Sequence, residues 1–550
     1  MQQQIQLRKQ KRRLPQIVLL VFAVIWMVGL LPSLMPVASA HASLEKRVPE
    51  ANAKLKESPP FVELSFSEAI EPSAGSLQVL DSQKRKVTSD KPTLNEDRTT
   101  LKLALPSLQE GVYTASFHIV SEDGHPVSGS YVFVVGNPPE WKDGSTFNDD
   151  AGGSSGSHGL SSDNWLLFTV RIVYYLSLLI AAGLMIWSAL YRNPSESVSG
   201  VHRRLLLLSL RVLLISLLLH IFIQAKEIMA GQPFSAWGEL FTGTATGRAW
   251  LELIVVVLAG FVIQRAPMYV KLLWAVIILA IESLIGHPAA NDLKILTLAA
   301  DWIHLVAAAI WAGGLLALVV LWFEDRKEAG RFGASFSKGA LISLVALVVS
   351  GILMMTLFLP KFSYLWLTPW GIMLAIKSGL TLLVIGTGAW LRIRMSKSGI
   401  PDGRLLRVDL GLMLVIVAIA AIFTYISPLP ANEPIRHHEM GEDMHYTLSI
   451  TPNVPGGENE AKLQIWLPEA AGEPKAVVLR LHPQGSEEAP LDVPLAPFDD
   501  ESYDSYPGYA RTSYQATGAF LPYASKWKAE IRVMTQDDIE MVKRLDFVNY

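Results

Sequence analysis

Eight apolar segments occupy the middle of this chain, and they constrain its fold more than any other feature. They span residues 165–190, 205–222, 249–263, 272–285, 295–322, 340–359, 370–391 and 410–426. A segment of about 20 apolar residues crosses a bilayer as a helix, and two of these are short for a straight span. With 50% hydrophobic and 18% charged residues and a mean hydropathy of +0.31, the chain of 550 residues is too apolar for a soluble protein. We therefore predict a polytopic membrane protein with eight transmembrane helices.

Lysine and arginine are distributed unevenly between the loops that join these segments. The loops on one side of the predicted membrane carry most of these residues. The loops on the other side carry Lys226, Arg248, Lys294 and Lys361. Because basic loops stay in the cytoplasm, this asymmetry places the first set of loops inside. We therefore expect a multi-pass protein of the cell membrane, with both polar ends of the chain outside the cytoplasm.

The first 40 residues have the pattern of a secretory signal peptide. A basic region that includes Arg12 and Arg13 precedes the apolar run 17–31, and Ala38-Ser39-Ala40 has the small residues of a cleavage site. Cleavage there leaves His41 as the first residue of the mature chain. A free α-amine beside an imidazole forms a chelate for Cu(II), since the metal displaces the proton of the amine near neutral pH. Any residue can follow a cleavage site, so His41 alone does not decide the metal.

Composition limits the covalent links and the metal sites that this chain can form. The chain has no cysteine, so neither disulfides nor thiolate metal sites can form. Nitrogen, carboxylate and thioether ligands remain for a metal. The net charge of −3 comes without a basic patch, and we expect no nucleic acid as a partner.

The two polar ends of the chain have the pattern of β domains. Short alternating segments between turn residues predict a β-sandwich or barrel over residues 41–136 and a second external β domain over residues 446–550. The predicted strands are residues 61–66, 76–80, 99–105, 113–120 and 131–135 in the first domain and 446–450, 461–467, 476–482, 512–520 and 527–534 in the second. Polar linkers at residues 137–164 and 429–445 flank the membrane domain, residues 165–428.

A turn between two predicted strands of the first domain carries Asp123 and His125. The two residues are two positions apart, so in an extended turn their side chains point to one side. With the amine and imidazole of His41 they supply a nitrogen-rich tetragonal ligand set, which favours Cu(II). The alternative is an ordinary Asp-Gly turn with a solvated histidine.

Longer stretches around these residues resemble known families. Residues 111–135, which include Ser121-Glu-Asp-Gly-His-Pro-Val-Ser-Gly129, closely resemble CopC-type copper-binding domains. Residues 301–315, Gly286-His287 and Thr368-Pro-Trp-Gly371 resemble the CopD membrane domain, and the C-terminal part resembles YtkA-like domains. The chain is thus similar to fused CopC–CopD copper uptake and resistance proteins of Gram-positive type.

This resemblance implies a fold for each domain and a role for three residues. The folds are a Greek-key CopC-like β-sandwich, an eight-helix CopD-like transmembrane bundle and a C-terminal immunoglobulin-like β-sandwich. His41, Asp123 and His125 match the positions of the family's Cu(II) ligands. Some CopC domains also have a methionine-rich Cu(I) site, but no methionine lies between His41 and Pro139. Copper, as Cu(II), is therefore the expected ligand of the first domain.

Three histidines in the apolar block mark a candidate transport path. His220, His287 and His304 all fall in the part of the predicted membrane nearest to the outside. Ionisable residues inside a bilayer are costly and usually functional. A histidine that only hydrogen-bonds between helices is the alternative. Met354 and Met355 in the sixth segment either pass on soft Cu(I) or are ordinary packing residues.

The predicted linker before the last domain is rich in metal-binding side chains. Residues 437–445 contain three imidazoles, three carboxylates and two thioethers. We predict an accessory metal site there, since this set suits either oxidation state of copper. Its candidate ligands are His437, His438, Met440, Met444 and His445. A solvated linker without a folded role is the alternative.

These features predict a transporter rather than an enzyme. The N-terminal domain captures Cu(II), and the helical domain imports copper into the cytoplasm. The sequence contains neither a P-loop nor the phosphorylated-aspartate motif of a pump. Copper ions and the lipid bilayer are the expected partners, together with an envelope copper chaperone or accessory membrane protein. Two alternatives remain: a membrane oxidoreductase that holds haem between paired histidines, and an envelope copper-binding resistance protein that does not conduct.

Overall fold

The computed structural model describes two β domains and a helical domain. The described residues are 44–50, 53–66, 69–71, 76–83, 85–122, 124, 126–136, 165–191, 194–229, 237–290, 293–359, 362, 364–426, 435–441, 443–451, 453, 458–484, 489–499 and 506–549. The predicted signal peptide, the linker 137–164 and the predicted copper ligands His41, Asp123 and His125 lie outside the described residues.

The described residues of the N-terminal β domain form two four-stranded sheets. Its strands are β1 (Leu44–Val48), β2 (Lys54–Leu55), β3 (Phe61–Phe66), β4 (Ser76–Leu80), β5 (Thr93–Leu94), β6 (Thr100–Ala104), β7 (Gly111–Val120) and β8 (Pro126–Val135). The sheet orders are β1-β3-β6-β5 and β2-β8-β7-β4. Alternate side chains of β3 and β7, such as Leu64 and Phe117, are buried in one core that both sheets share. This alternation explains why strand prediction succeeds here.

The middle of the chain is helical. Its helices are α1 (Trp165–Leu190), α2 (Glu196–Ile228), α3 (Trp237–Gly243), α4 (Ala245–Val262), α5 (Met268–Ser283), α6 (His287–Ala290), α7 (Lys294–Glu324), α8 (Arg326–Phe358), α9 (Tyr364–Leu367), α10 (Pro369–Ser398) and α11 (Gly403–Phe423). Among the described residues, seven helices are long and apolar enough to cross a membrane: α1, α2, α4, α7, α8, α10 and α11. These seven coincide with seven of the eight predicted segments.

The remaining predicted segment, 272–285, is the shorter helix α5. Its 16 residues rise about 24 Å at 1.5 Å per residue, which is less than a hydrocarbon core of about 30 Å. Pro267 precedes the helix, and Gly286 follows its last turn with a φ of +84°. The predicted number of eight transmembrane helices is therefore approximate, because these flanking residues limit α5 at both ends.

The helical domain has two halves with the same order of helices. α1 and α2 are followed by the short α3 and then by α4 and α5; α7 and α8 are followed in the same way by α9, α10 and α11. Both α2 and α8 are 33 residues long. α1 packs against α7, and α5 contacts α7 as α11 contacts α1. The second half therefore repeats the helix order of the first, and the contacts that α1 and α7 make with the other half correspond.

A shared cap at the start of α4 and of α10 supports this relationship. In the first half, Thr244 Oγ1 accepts a hydrogen bond from Gly247 N and donates one to Leu240 O of α3. A Cβ on Gly247 would lie 2.0 Å from that same carbonyl oxygen, so the position requires glycine. The corresponding residues of the second half are Thr368, Gly371 and Tyr364. Each Thr-x-x-Gly sequence thus fixes a short helix against the long one that follows.

The C-terminal β domain also has two sheets in its described part. Its strands are β9 (Ile435–Met440), β10 (His445–Thr451), β11 (Asn459–Pro468), β12 (Ala476–Pro483), β13 (Leu491–Val493), β14 (Ala496–Pro497), β15 (Tyr509–Gly518), β16 (Ser525–Met534) and β17 (Glu540–Asn549). The sheet orders are β14-β15-β11-β10-β9 and β13-β12-β16-β17. Residues from both sheets, including Leu463 and Ile531, form a separate core. The second half of the predicted linker 429–445 is therefore strand β9, because Ile435 is buried in this core.

Candidate functional site

The loop between β7 and β8 carries the predicted Cu(II) ligands of the first domain. Gly124 in this loop has a φ of +89°, a conformation that side chains with a Cβ rarely adopt. Its neighbours Asp123 and His125 lie outside the described residues, as does His41. Near the start of β8, a Cβ on Gly129 would lie 2.7 Å from the Phe117 ring. Glycine at these two positions therefore fits a tight hairpin over a packed aromatic ring.

A polar cavity of about 90 Å³ lies among the helices at the end where α1 and α7 begin. Its lining includes charged, hydroxyl, amide and imidazole side chains from α1, α2, α5, α6 and α7 and from the C-terminal end of α11. They are Arg171, Tyr174, Tyr175, His220, Gln224, Glu282, His287, Asp301 and Thr424, together with nearby apolar residues. Polar groups inside an apolar bundle are costly, so a concentration of them indicates a functional site.

Glu282 is held in this cavity by two tyrosines of α1. Tyr174 Oη donates a hydrogen bond to Glu282 Oε2, and Tyr175 also hydrogen-bonds the carboxylate. Glu282 lies in the last turn of α5, where the helix dipole opposes a negative charge. The two hydroxyl donors compensate for this unfavourable position.

His220 faces the same group of side chains from α2. Its ring stacks on that of Tyr174, with 5.2 Å between the ring centroids and 13° between the planes. The residue is only 6% exposed, and its Nδ1 has no hydrogen-bond partner among the described residues. A buried nitrogen without a partner carries a desolvation cost, which a bound metal ion would remove.

Arg171 and His287 both contact the end of α11. Arg171 Nε donates to Ala421 O and Nη2 donates to Thr424 Oγ1, each at 3.1 Å. These oxygens lie at the C-terminus of the helix, where carbonyls lack helical partners and the dipole favours a cation. His287 Nε2 is 3.0 Å from Ile426 O and must donate, since a carbonyl only accepts. These hydrogen bonds anchor both Arg171 and His287 to the C-terminal end of α11.

His304 is not among the residues that line the cavity. Its Nδ1 is 2.9 Å from Ser350 Oγ of α8, and Ser350 Oγ in turn donates to Ala346 O at 2.6 Å. The hydroxyl hydrogen is thereby used, so Nδ1 of His304 donates and the lone pair is on Nε2. The structure therefore brings His220 and His287 to one cavity and places His304 in a separate contact between α7 and α8.

The two halves of the domain explain this arrangement. His304 follows Tyr174, and Ser350 follows His220, by the same number of residues along the chain. The pair His304–Ser350 thus occupies in the second half the place of Tyr174–His220 in the first. Asp301 takes the place of Arg171 in the same way, and it interacts electrostatically with both Glu282 and Lys377. Asp301 therefore lies in the cavity, one helical turn before His304.

Met354 and Met355 are half-buried in α8, one turn beyond Ser350. Neither residue lines the polar cavity. Both the transfer role and the packing role remain predictions for these methionines.

The predicted accessory metal residues lie on a β-hairpin of the C-terminal domain. His438 and Met440 are in β9 and His445 is in β10, whereas Met444 is buried in the core with 1% exposure. His437 lies 3.8 Å from Glu439, whose carboxylate accepts hydrogen bonds from Tyr446 and Lys543. The hydrogen bond from Lys543 is the main reason why the pKa of Glu439 is below its usual value. In the part of the chain that the structure describes, no three His, Asp or Glu side chains gather closely enough to hold a metal ion.

Comparison with known proteins identifies the domains. Residues 44–136 match the CopC domain, residues 161–292 match the N-terminal domain of copper resistance protein D-like proteins, and residues 330–423 match copper resistance protein D. The chain is 31% identical to the copper transport protein CutJ of Bacillus subtilis over 453 residues, which cover 76% of this chain and 80% of CutJ. The chain belongs to the family of fused CopC–CopD proteins that includes CutJ.

Two further similarities concern the CopC domain. Protein YobA of Escherichia coli K12 is 32% identical over 103 residues, which are 18% of this chain and 82% of YobA. The crystal structure of CopC from Methylosinus trichosporium OB3b is 33% identical and covers 17% of this chain and 93% of that one, with a TM-score of 0.17. The three domain matches end at residue 423, so the YtkA-like assignment of the C-terminal domain stays a prediction.

Two residues that line the cavity of the CopD region, Tyr174 and Tyr175, were not predicted from the sequence. Arg171 and Glu282 stand out as charges in apolar segments, but Tyr174 and Tyr175 resemble ordinary aromatic residues of a membrane helix. The sequence did contain one signal for these two tyrosines, namely their spacing from Arg171. Residues three and four positions apart share one face of a helix, so Arg171, Tyr174 and Tyr175 form one polar face in an apolar segment.

Proposed function

We propose that this CopC–CopD protein imports copper across the cell membrane. The observation that carries the proposal is the buried cavity of the CopD region. Its lining combines Glu282, Asp301 and His287 with His220, whose Nδ1 has no hydrogen-bond partner among the described residues. Imidazole and carboxylate ligands suit a copper ion, and the cavity holds both types. The relatives support the metal, since CutJ is described as a copper transport protein.

Capture of Cu(II) by the CopC domain is the first step of the proposed route. The α-amine and imidazole of His41, the carboxylate of Asp123 and the imidazole of His125 supply its ligands. Both β domains lie outside the cytoplasm in this proposal, because the loops on the opposite side of the membrane carry most of the arginines and lysines. The captured ion and the polar cavity are then on the same side of the membrane.

The cavity receives the copper ion and passes it inward. His220 and His287 supply nitrogen ligands, and Glu282 and Asp301 supply negative charge that offsets the charge of the ion. His304 is placed further along α7 than Asp301, and the lone pair on its Nε2 makes it the next ligand of the route. Met354 and Met355 of α8 are further candidates, since thioethers bind Cu(I).

Copper accumulation in cells tests the direction of transport. Cells that lack the protein should contain less copper than wild-type cells under copper limitation. Equal or higher copper content in its absence would contradict import and favour a resistance protein that does not conduct. A visible absorption band of haem in the purified protein would instead favour the oxidoreductase.

Uptake into sealed vesicles tests the cavity. His220→Gln removes an imidazole of the cavity and should reduce copper uptake at least 10-fold, the scale on which loss of a metal contact acts. His202→Gln is the matched control, because His202 is in the same helix, is also buried and lies near its other end. Equal uptake by the two variants would exclude His220 from the route.

A further inference from the structure

The hairpin β9–β10 places three potential copper ligands on one face. The strands are antiparallel, with Met440 opposite His445 and His438 opposite Thr447. Side chains of a strand alternate between the two faces of a sheet, so His438 and Met440 share a face with His445. Tyr446, the neighbour of His445, is fully buried in the core. The face with the two histidines is therefore the outer face of the sheet.

His445 is buried although it lies on this outer face. Its ring stacks on Tyr506, with 5.1 Å between centroids, and meets the Tyr509 ring edge-on at 4.3 Å. The residue is 7% exposed, and its Nδ1 has no hydrogen-bond partner in the described part of the chain. A buried ring nitrogen normally finds a partner. Its absence indicates a place for a ligand that the protein itself does not supply.

His438 is oriented by two hydroxyl groups. Its Nδ1 is 2.8 Å from Thr447 Oγ1, and its Nε2 is 3.1 Å from Tyr506 Oη. The Tyr506 side chain thus touches both imidazoles, since it also stacks on His445. Thr447 belongs to the neighbouring strand and holds the ring in place. Tyr506 lies in the segment before β15. A metal ion bound at Nε2 of His438 would replace the hydrogen bond to Tyr506.

Met440 completes the set at the end of β9. It is directly opposite His445, and opposed Cβ atoms of an antiparallel pair are about 4.5–5.5 Å apart. Its side chain is 58% exposed, so the thioether is accessible from solvent. An exposed methionine of this kind contributes little to the core. Thioether and neutral imidazole ligands together favour Cu(I), which is a soft ion.

The other two residues of the motif lie elsewhere. His437 points to the opposite face of β9, beside Glu439 and the Tyr446 ring. Met444 is buried in the core. The hairpin therefore places three of the five predicted ligands on one face, whereas His437 and Met444 make contacts within the fold.

We propose that His438, Met440 and His445 form a Cu(I)-binding site on the outer face of the C-terminal β domain. The site is separate from the CopC ligands and from the cavity of the CopD region. It binds copper through its own side chains whether or not the helical domain imports the ion.

Competition for Cu(I) tests the site in the purified full-length protein. Cu(I) held by bicinchoninate under anaerobic conditions is offered to the wild type, to Met440→Leu and to His437→Gln. Met440→Leu should bind one Cu(I) fewer than the wild type, or bind it at least 10-fold more weakly, while His437→Gln should match the wild type. Because Met440 is exposed, the variant should keep the thermal unfolding midpoint of the wild type.

A second variant separates ligand loss from local damage. His438→Gln should show the same Cu(I) deficit as Met440→Leu, and the double variant should lose no more than either single one. Unchanged Cu(I) binding by Met440→Leu, or an equal deficit in His437→Gln, would overturn the proposed site. Vesicle uptake by Met440→Leu reports separately on import, so failure of this site and failure of the transport proposal give different results.

Discussion

The backbone of Gly183 in α1 lies directly against the backbone of Gly313 in α7. A Cβ on Gly313 would lie 2.6 Å from the carbonyl carbon of Gly183, and a Cβ on Gly183 would lie 1.8 Å from Ala309 O. Small residues let two membrane helices approach this closely. The two glycines hold corresponding positions in the two halves, since Gly313 follows Gly183 by the same number of residues as His304 follows Tyr174. The polar cavity is built around the helices that this contact joins.

Replacement of Gly183 by leucine should separate α1 from α7. The side chain would overlap with the backbone of α7, and overpacking of this kind costs about 1–3 kcal/mol or more. We expect a lower thermal unfolding midpoint and little copper uptake. Gly379→Leu is the control, because a Cβ there meets nothing within 4 Å. Similar unfolding midpoints for the two variants would contradict close helix packing at Gly183.

Tyr174→Phe should disturb the cavity without disturbing the helix. The variant removes the hydroxyl that donates to Glu282 and leaves a buried carboxylate with one donor fewer, at a cost of about 1–3 kcal/mol. We expect copper uptake by vesicles to fall about 10-fold. Tyr191→Phe is the control: Tyr191 follows the other end of α1, where its ring packs on Phe332, and this variant should transport normally. Wild-type uptake by Tyr174→Phe would show that the position of Glu282 does not matter for transport.

His304→Ala should abolish uptake and leave the Cu(II) affinity of the CopC domain unchanged, because the two sites act in series. Ser350→Ala is a milder test, since it removes the hydrogen bond to Nδ1 and keeps the imidazole. Uptake should therefore decrease in the order wild type, Ser350→Ala, His304→Ala. Normal uptake by a well-expressed His304→Ala protein would return this histidine to a packing role.

His125→Ala, or one extra residue ahead of His41, should weaken Cu(II) binding by the CopC domain. Loss of one ligand from a chelate reduces affinity on the order of 10–100-fold or more, since even indirect changes have that effect. Titration with Cu(II) measures it. His118→Gln is the control, because His118 lies within strand β7. Unchanged affinity with the extended N-terminus would refute the role of the α-amine.

Glu530→Gln should make the C-terminal β domain less stable at neutral pH. Hydrogen bonds from Arg532 and Arg544 lower the pKa of Glu530 below its usual value of 4.5, and the side chain is 7% exposed. The ionised carboxylate therefore stabilises the fold above about pH 4.5, and this contribution is lost as the pH falls through the lowered pKa. We expect a loss of about 1–2 kcal/mol at pH 7.

Unfolding of both proteins over a range of pH measures this difference. The gap between wild type and Glu530→Gln should shrink as the solution is acidified. Glu540→Gln removes a more exposed partner of Arg532 and should cost less than about 1 kcal/mol. A gap that stays constant down to low pH would show that ionisation of Glu530 does not contribute.

Local patterns in the sequence determined most of the architecture. Alternation in 61–66 and 461–467 predicts strands, and long apolar runs predict membrane helices, because each pattern reflects a neighbourhood only a few residues wide. The sequence also identified CopC and CopD and the ligand-rich segment 437–445. It counted the apolar segment 272–285 as an eighth span, whereas the corresponding helix α5 has only 16 residues and is not among the seven described helices that are long enough to cross a membrane.

Only the tertiary structure decided which of the chemically suited residues meet. Tyr174 and Glu282 are far apart along the chain, and their hydrogen bond depends on how α1 packs against α5. The separation of His304 from the cavity depends on its contact with Ser350, which the packing of α7 against α8 provides. The choice of His438, Met440 and His445 depends on the register of one hairpin. Helix packing and strand register bring together residues that are distant in sequence, so the composition of a segment limits the candidate ligands and tertiary geometry selects among them.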